Sequence, residues 1–360
     1  MSDKPSDMRL CLYPSDKNGC GMLRTIIPFN YFSAKLDWDV TCLYQFVFDL
    51  NLILRTTNYL RFQRQCTENQ FTCIREYKKF IDQHKAATKL VYELDDLVHG
   101  IEPHNILAYQ FYTPIRKQHV VDIMKMCEKV TFSTQFLKDF YLHNFGVTNS
   151  HVVPNFLPKF MWNPNFNDNK RPNKTKPVVV WGGSSSHVGP GGDLEFLLPM
   201  IEATMDEFQW TFVGVLPPRF FDPSNPQKLQ SKYEGKISFY PWQPFYDFPS
   251  MMQTIKADIA IAPITDSVFN LAKSDLKYLE YSAMNIPSIC SSIGNKKGPY
   301  DLIKAPNLVE NDVDVWYQAI KELSKDETKK QKTIEIQQQH VNGRWLENPE
   351  NIEVYKKVYC

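Results

Sequence analysis

Short apolar runs alternate with amphipathic helical segments along the chain, and the alternation falls into two blocks. KLVYEL (residues 89–94), PVVVW (177–181) and ADIAIAP (257–263) are the plainest runs. Each is too short for a helix and reads as a buried strand. The first block predicts strands over 8–13, 38–48, 59–65, 89–94, 129–133 and 150–153, and helices over 22–32, 71–87, 115–127 and 134–145. The second predicts strands over 177–181, 209–215, 236–241, 257–263 and 286–290, and helices over 193–208, 248–256, 313–324 and 327–345. Such alternation builds parallel sheets covered by helices on both faces. The expected fold class is α/β: two Rossmann-like, doubly wound parallel-sheet domains facing one cleft. The bounds read as 1–155 and 177–325, with C-terminal helices at 326–360. Residues 156–176, rich in Pro, Asn and basic side chains, read as the linker, and the run from Lys170 to Lys176 as a solvated part of it.

At 360 residues, two cores are expected rather than one. The net charge of +1 supplies no global field that would pull the chain onto nucleic acid or membrane. No apolar run approaches the ~20 residues of a spanning helix, and no signal peptide opens the chain. The eight cysteines show neither CxxC pairs nor metal spacing, so they read as reduced core thiols of a cytoplasmic protein. Stable membrane insertion is not expected, and the oligomeric state is not legible.

The chemistry concentrates in residues 269–291, FNLAKSDLKYLEYSAMNIPSICS. A loop with Lys273, Ser274 and Asp275 runs into a helix with Leu276, Leu279 and Ala283 at apolar spacing, then a Pro-led strand. A helix N-terminus presents free N–H groups and a positive dipole end. With Lys273 and Lys277 beside it, the expected ligand is a phosphate or diphosphate. Glu280 stands seven residues past Lys273, two turns along one face, where a carboxylate accepts hydrogen bonds from paired sugar hydroxyls. The second signal is GGSSSHVGPGGD (182–193), after the strand PVVVW: small residues there free the backbone to wrap an anion.

Weaker candidates lie in the first block. Gly19-Cys20-Gly21 is no GxGxxG; it is either a tight strand-to-helix turn or a close backbone approach to a ligand. Asp95 and Asp96 end a buried strand, with His99 close behind. They read as a helix cap, as metal ligands, or as contacts to sugar hydroxyls in the cleft. Arg55, Arg61 and Arg64, interleaved with Tyr59 and Phe62, form either a solvated face or a contact to a polyanionic acceptor.

The string KSDLKYLEYSAMNIPSI resembles the nucleotide-sugar signature of GT-B glycosyltransferases, above all glycosyltransferase family 4 and the enzymes of large bacteriophages. YELDD and WGGSSSH are similar to further motifs of that group. The resemblance implies a nucleotide-diphosphate sugar, UDP-sugar favoured, as co-substrate. It implies that Glu280 holds the ribose, that Lys273, Ser274 and Lys277 face the diphosphate, and that Gly183, Ser184, Ser185 and His187 line the cleft beside the phosphates and sugar. Gly21 matches the family's glycine loop and Arg24 the arginine after it. Tyr240 and Trp242 either stand by the donor base or only pack, and the terminal helices cross back to the first domain. Arg24, Arg61 and Arg64 are the acceptor-side candidates, and Lys273, Asp95, Asp96 and His99 the catalytic ones. The family's usual first Glu is replaced by Ala272. No metal is expected, since fixed cations would carry the leaving charge. The resemblance implies retention at the anomeric carbon; an inverting enzyme would take its base from Asp95, Asp96 or His99. Three functions stay open: transfer to 5-hydroxymethylcytosine in phage DNA, transfer to a polysaccharide or lipid-linked glycan, and non-catalytic nucleotide-sugar binding.

Overall fold

The computed structural model describes residues 8–47, 49–162 and 176–360. The first sheet is built from β1 (Arg9–Tyr13), β2 (Asp39–Cys42), β3 (Tyr59–Gln63), β4 (Lys89–Leu94), β5 (Lys129–Phe132) and β6 (Ser150–Val152). Its order is β2-β1-β3-β4-β5-β6, and every neighbouring pair is parallel. The second sheet uses β7 (Val178–Gly183), β8 (Gln209–Gly214), β11 (Ile237–Pro241), β12 (Ile259–Ala262), β13 (Ser288–Ser291) and β14 (Leu308–Val309). It is likewise parallel, in the order β11-β8-β7-β12-β13-β14. A small antiparallel hairpin, β9 (Phe221–Asp222) with β10 (Asn225–Leu229), stands apart from both.

The period-two geometry of a strand explains why the runs are apolar throughout. In β1, Cys11 and Tyr13 enter one core cluster while Leu10 and Leu12 enter another on the opposite face. In the second sheet, Val178 and Val180 face one cluster, and Val179 and Trp181 the other. Helices cover both faces of the inner strands, and the buried polar residues Arg61, Gln63 and Glu93 there take buried partners.

The structure corrects several expected bounds. The strand expected over 38–48 is four residues, Asp39–Cys42. The helix expected over 193–208 is only Leu198–Ala203, after a short 3-10 turn, because Asp193 is spent on tertiary contacts described below. Helices at Leu50–Thr56, Ile106–Phe111 and Pro349–Tyr359 are additions to the sequence pattern. The last of these puts Tyr355, Val358 and Tyr359 into the cluster of Leu12, Phe29 and Phe32, so the chain's end packs on the first sheet. Most of the expected linker lies outside the described residues.

Polar contacts join the halves. Asn155, just past β6, gives its amide to Ser274 Oγ at 2.7 Å and accepts from Arg24 at 3.0 Å. Its carbonyl accepts from Arg344 at 2.6 and 2.9 Å, and Arg344 pairs with Asp275 at 3.1 Å. Thr134 donates to the carbonyl of Ala272 at 3.0 Å.

Candidate active site

Ligands of open parallel sheets bind at the carboxyl ends of strands where the strand order reverses. In the second sheet that point lies between β7 and β12; in the first, between β1 and β3. A cavity of about 240 Å³ opens between the halves at these ends. Gly19, Cys20, Arg24, Asp95 and Asn155 line it from the first half, and Gly183, Ser184, His187, Trp242, Lys277 and Glu280 from the second.

The helix after the 273–275 loop runs Leu276–Ala283, with Asp275 as its N-cap. Lys273 therefore precedes the helix, and the expected two-turn face shared with Glu280 does not exist. Lys277 and Glu280, one turn apart, share the face instead, and both line the cavity. The Lys277 ammonium is enclosed and has no hydrogen-bond partner among the described residues. It stands 5.0 Å from the centre of the Trp181 ring. Burial pushes it down to about 8, with Asp193 opposing that shift. Burial pushes the Glu280 carboxyl up to about 8, with Lys277 opposing. Near neutral pH the pair is thus a cation beside a largely protonated acid, a net positive pocket. Gly183 is required there: a Cβ would meet the Trp181 ring at 2.5 Å and Lys277 Nζ at 3.3 Å.

His187 also lines the cavity. Its Nδ1 lies 2.5 Å from Asp193 Oδ2. Asp193 further accepts from the Thr265 amide at 2.8 Å and the Asn270 side chain at 2.7 Å. Burial and the nearby Lys277 and Lys273 push His187 down to about 3, so the ring is neutral and its Nδ1–H donates to the ionised Asp193. Burial opposes the charge on Asp193, but the His187 hydrogen bond and Lys273 outweigh it and hold that carboxyl well below its ordinary value. Nε2 is left for a ligand. Asp193 is a site residue that the sequence reading misses; its place six residues after His187 in a glycine-rich loop is the only available signal. Ser184 lines the cavity and bonds Ser186 at 2.9 Å, whereas Ser185 is exposed outside it.

Lys273 lines a smaller adjoining pocket with Glu102, His104, Asn105 and His187, its ammonium 4.9 Å from the Phe269 ring centre. Ser274 is committed to Asn155. Trp242 is 55% exposed at the cavity wall, beside Phe245 and Phe248. Gly21 does not line the cavity; it is held against Asp16, whose carbonyl a Cβ would strike at 1.8 Å, and Gly19 and Cys20 make the approach instead. Ala272 is buried in the first half's core cluster, so the position where the family signature has a carboxylate is here an apolar contact between the halves.

The arginine stretch is corrected most. Arg24 and Arg61 are each 2% exposed. Both pair with the fully buried Glu93, at 2.6 and 3.0 Å. A buried carboxylate demands such partners, and it finds them in the residues that read as an acceptor surface. Arg64 sits at φ 57 and pairs with Asp95 and, at 2.5 Å, with Asp96. Burial works against the Asp95 charge, but Arg64 and Arg24 hold its carboxyl below the ordinary value. The side chain of Arg55 is outside the described set. His99 is corrected too: it bonds Tyr141 at 2.9 Å, packs on Phe140 and Phe145, and burial pushes it down to about 4, away from the cavity.

No protein-family model matches the sequence, and no curated relative does. Solved structures do match. A glycosyltransferase from Rickettsia africae superposes with a TM-score of 0.58 at 15% identity, over 98% of each chain. The Anabaena protein HepE, solved with UDP-glucose, gives 0.62 at 12% identity, over 98% of this chain and 99% of that one. T4 phage BGT, solved as a mutant with UDP-glucose, gives 0.55 at 15% identity, over 98% and 99%.

The fold is GT-B.

At these identities the likeness establishes the GT-B architecture, and the chemistry has to be argued from the cleft. T4 phage BGT has also been solved with UDP and Mn2+. Among the described residues Asp95 and Asp96 are taken by Arg64, and no group of three or more His, Cys, Asp or Glu stands together.

Proposed function

We propose that the chain transfers a sugar from a nucleotide-diphosphate sugar, a UDP-sugar by preference, to an acceptor hydroxyl. The observation that carries this is the enclosed Lys277 ammonium, without a hydrogen-bond partner among the described residues and one turn from Glu280, in a cavity between two parallel sheets. A buried ammonium without a hydrogen-bond partner is costly, and a ligand diphosphate supplies both the bond and a facing charge. Trp242 offers a face to the base, Glu280 accepts from the ribose hydroxyls, and His187 Nε2 faces the sugar side. In the reaction the bond from the anomeric carbon to the β-phosphate oxygen breaks, and the diphosphate leaves with the electron pair. The acceptor oxygen bonds the anomeric carbon and gives up its proton. Under retention that proton passes to the leaving phosphate; under inversion Asp95, the first-half carboxylate that lines the cavity, takes it. Lys277, the helix N-terminus and the positively charged surroundings stabilise the leaving charge, the class of effect that is often the largest in catalysis.

The acceptor reading follows the surfaces. Hydroxymethylated duplex DNA draws on Arg24, Arg61 and Arg64; two are buried and the third is paired, so that reading now stands on resemblance to the phage enzymes alone. An exposed apolar helix beside the cleft favours a lipid-linked glycan. The test is a panel of radiolabelled nucleotide sugars against hydroxymethylated DNA, unmodified DNA, free glycans and lipid-linked glycans, with proton NMR of the first product. Sugar incorporation or slow donor hydrolysis is expected; a chain that binds UDP but turns over no donor with any acceptor is a binding module.

A further inference from the structure

Twelve large apolar side chains are exposed among the described residues, and five of them, Ile106, Leu107, Tyr109, Phe111 and Ile115, fall within ten positions. Leu107 is 74% exposed and Ile115 is 65% exposed. The helix Ile106–Phe111 has no buried residue at all. Ala108 and the following Tyr112 pack, partly buried, against the first half's core cluster, and the other apolar side chains project outward. Six residues form a marginal helix in water, and this one rests on the core through the partly buried Ala108.

At about 100° per residue, Ile106, Leu107, Tyr109 and Phe111 cover an arc of about 200°, with Ala108 on the inward side. A groove on a partner protein reads a single stripe at i, i+3, i+4 and i+7. A bilayer interface accepts apolar groups across so broad an exposed face. The flanking charges point the same way. Arg116 lies 4.4 Å over the Phe111 ring, and Lys117 lies 5.9 Å over the Tyr109 ring. Lys125, exposed, follows on the same helix, Pro114–Met126. Against these cations stand Glu102 at the base of the projection and Asp122, bonded to Gln118, on that helix. Aromatic rings with cations over their faces suit the headgroup layer of an anionic membrane. Duplex DNA would need more phosphate contacts than this cluster offers.

The projection begins at the cleft. A Cβ on Gly191, in the loop after β7, would come within 3.1 Å of His104. Asn105 lines the small pocket with Lys273 and His187. We propose that residues 106–117 dock the protein on an anionic lipid bilayer, with the open side of the cleft at the membrane plane. The nature of the acceptor, a glycan on a lipid carrier, rests on the glycosyl-transfer reading; the docking itself does not.

The test is co-sedimentation of the full chain with phosphatidylcholine vesicles and with vesicles containing phosphatidylglycerol. The expected result is saturable binding to the anionic vesicles, weakened about tenfold or more by combining Leu107→Ser and Phe111→Ser. UDP affinity and melting temperature should stay at the parent values, which shows that the variant is folded. Combining Arg116→Gln and Lys117→Gln should remove the preference for anionic lipid. A parent protein that stays in the supernatant with both vesicles at low salt overturns the proposal. So does a serine variant that sediments like the parent, or one that instead loses binding to a labelled DNA duplex. Vesicle binding without any UDP binding would leave docking intact and remove the glycosyl-transfer reading.

Discussion

Replacing Lys277 by Met separates a ligand-binding cation from a structural one. Methionine keeps an unbranched apolar stem beside Trp181 and deletes the ammonium, which has no hydrogen-bond partner among the described residues. In the free protein the ammonium is a burden: a fall from 10.5 to about 8 corresponds to about 3 kcal/mol against the charged form. Part of this is returned by the Trp181 ring, at ~0.5–2 kcal/mol for a cation over an aromatic face. The variant should therefore melt no lower than the parent. UDP affinity should fall, because a charge-assisted hydrogen bond to the diphosphate contributes roughly 1.5–3 kcal/mol, or about 10- to 150-fold. Isothermal titration with UDP reads this directly, and uridine, which lacks phosphates, should bind both proteins equally. The pH dependence carries the same signature. Above about pH 8 Lys277 is neutral in the free protein, so parent affinity should decline as pH rises from 8 to 10, while the variant shows a flatter profile. The linkage to stability runs the other way: the unfolded chain holds this proton up to about 10.5, so this group's contribution to stability rises with pH between about 8 and 10.5. A variant with parent-like UDP affinity and a lower melting temperature would refute the assignment of Lys277 to the phosphates.

Glu280→Gln should weaken UDP binding and erase the preference for UDP over its 2′-deoxy analogue, since a neutral amide replaces the carboxylate acceptor; titration of both ligands against both proteins closes that cycle, and a preference that survives moves the ribose elsewhere. At pH 7, UDP binding to the parent should release protons, because burial holds Glu280 protonated up to about 8 and ribose hydroxyls favour the ionised form; heats measured in buffers of different ionisation enthalpy would show it. Arg61→Ala should cost about 3–5 kcal/mol in denaturant unfolding, the toll of leaving Glu93 with one cation fewer, and should not change retention on a DNA column.

Much of this protein is readable along the chain. Period-two apolar runs and 3.6-residue helical spacing are local properties, so KLVYEL and ADIAIAP announce buried strands, and their alternation with helices announces parallel sheets. The lysine–glutamate helix and the glycine-serine loop after PVVVW are legible as parts of the cavity wall because small residues and a helix start stand within a few positions of a strand end. The tertiary structure alone decides which charges are free. Arg24, Arg61 and Arg64 look alike in sequence, yet Glu93, Asp95 and Asp96 consume them across strands, while the Lys277 ammonium is left without a hydrogen-bond partner among the described residues. The same holds for Ala272, whose role as a contact between the halves depends on residues more than a hundred positions away. A charge's availability is set by who stands within a few ångströms of it, and that distance is fixed only when the sheets close.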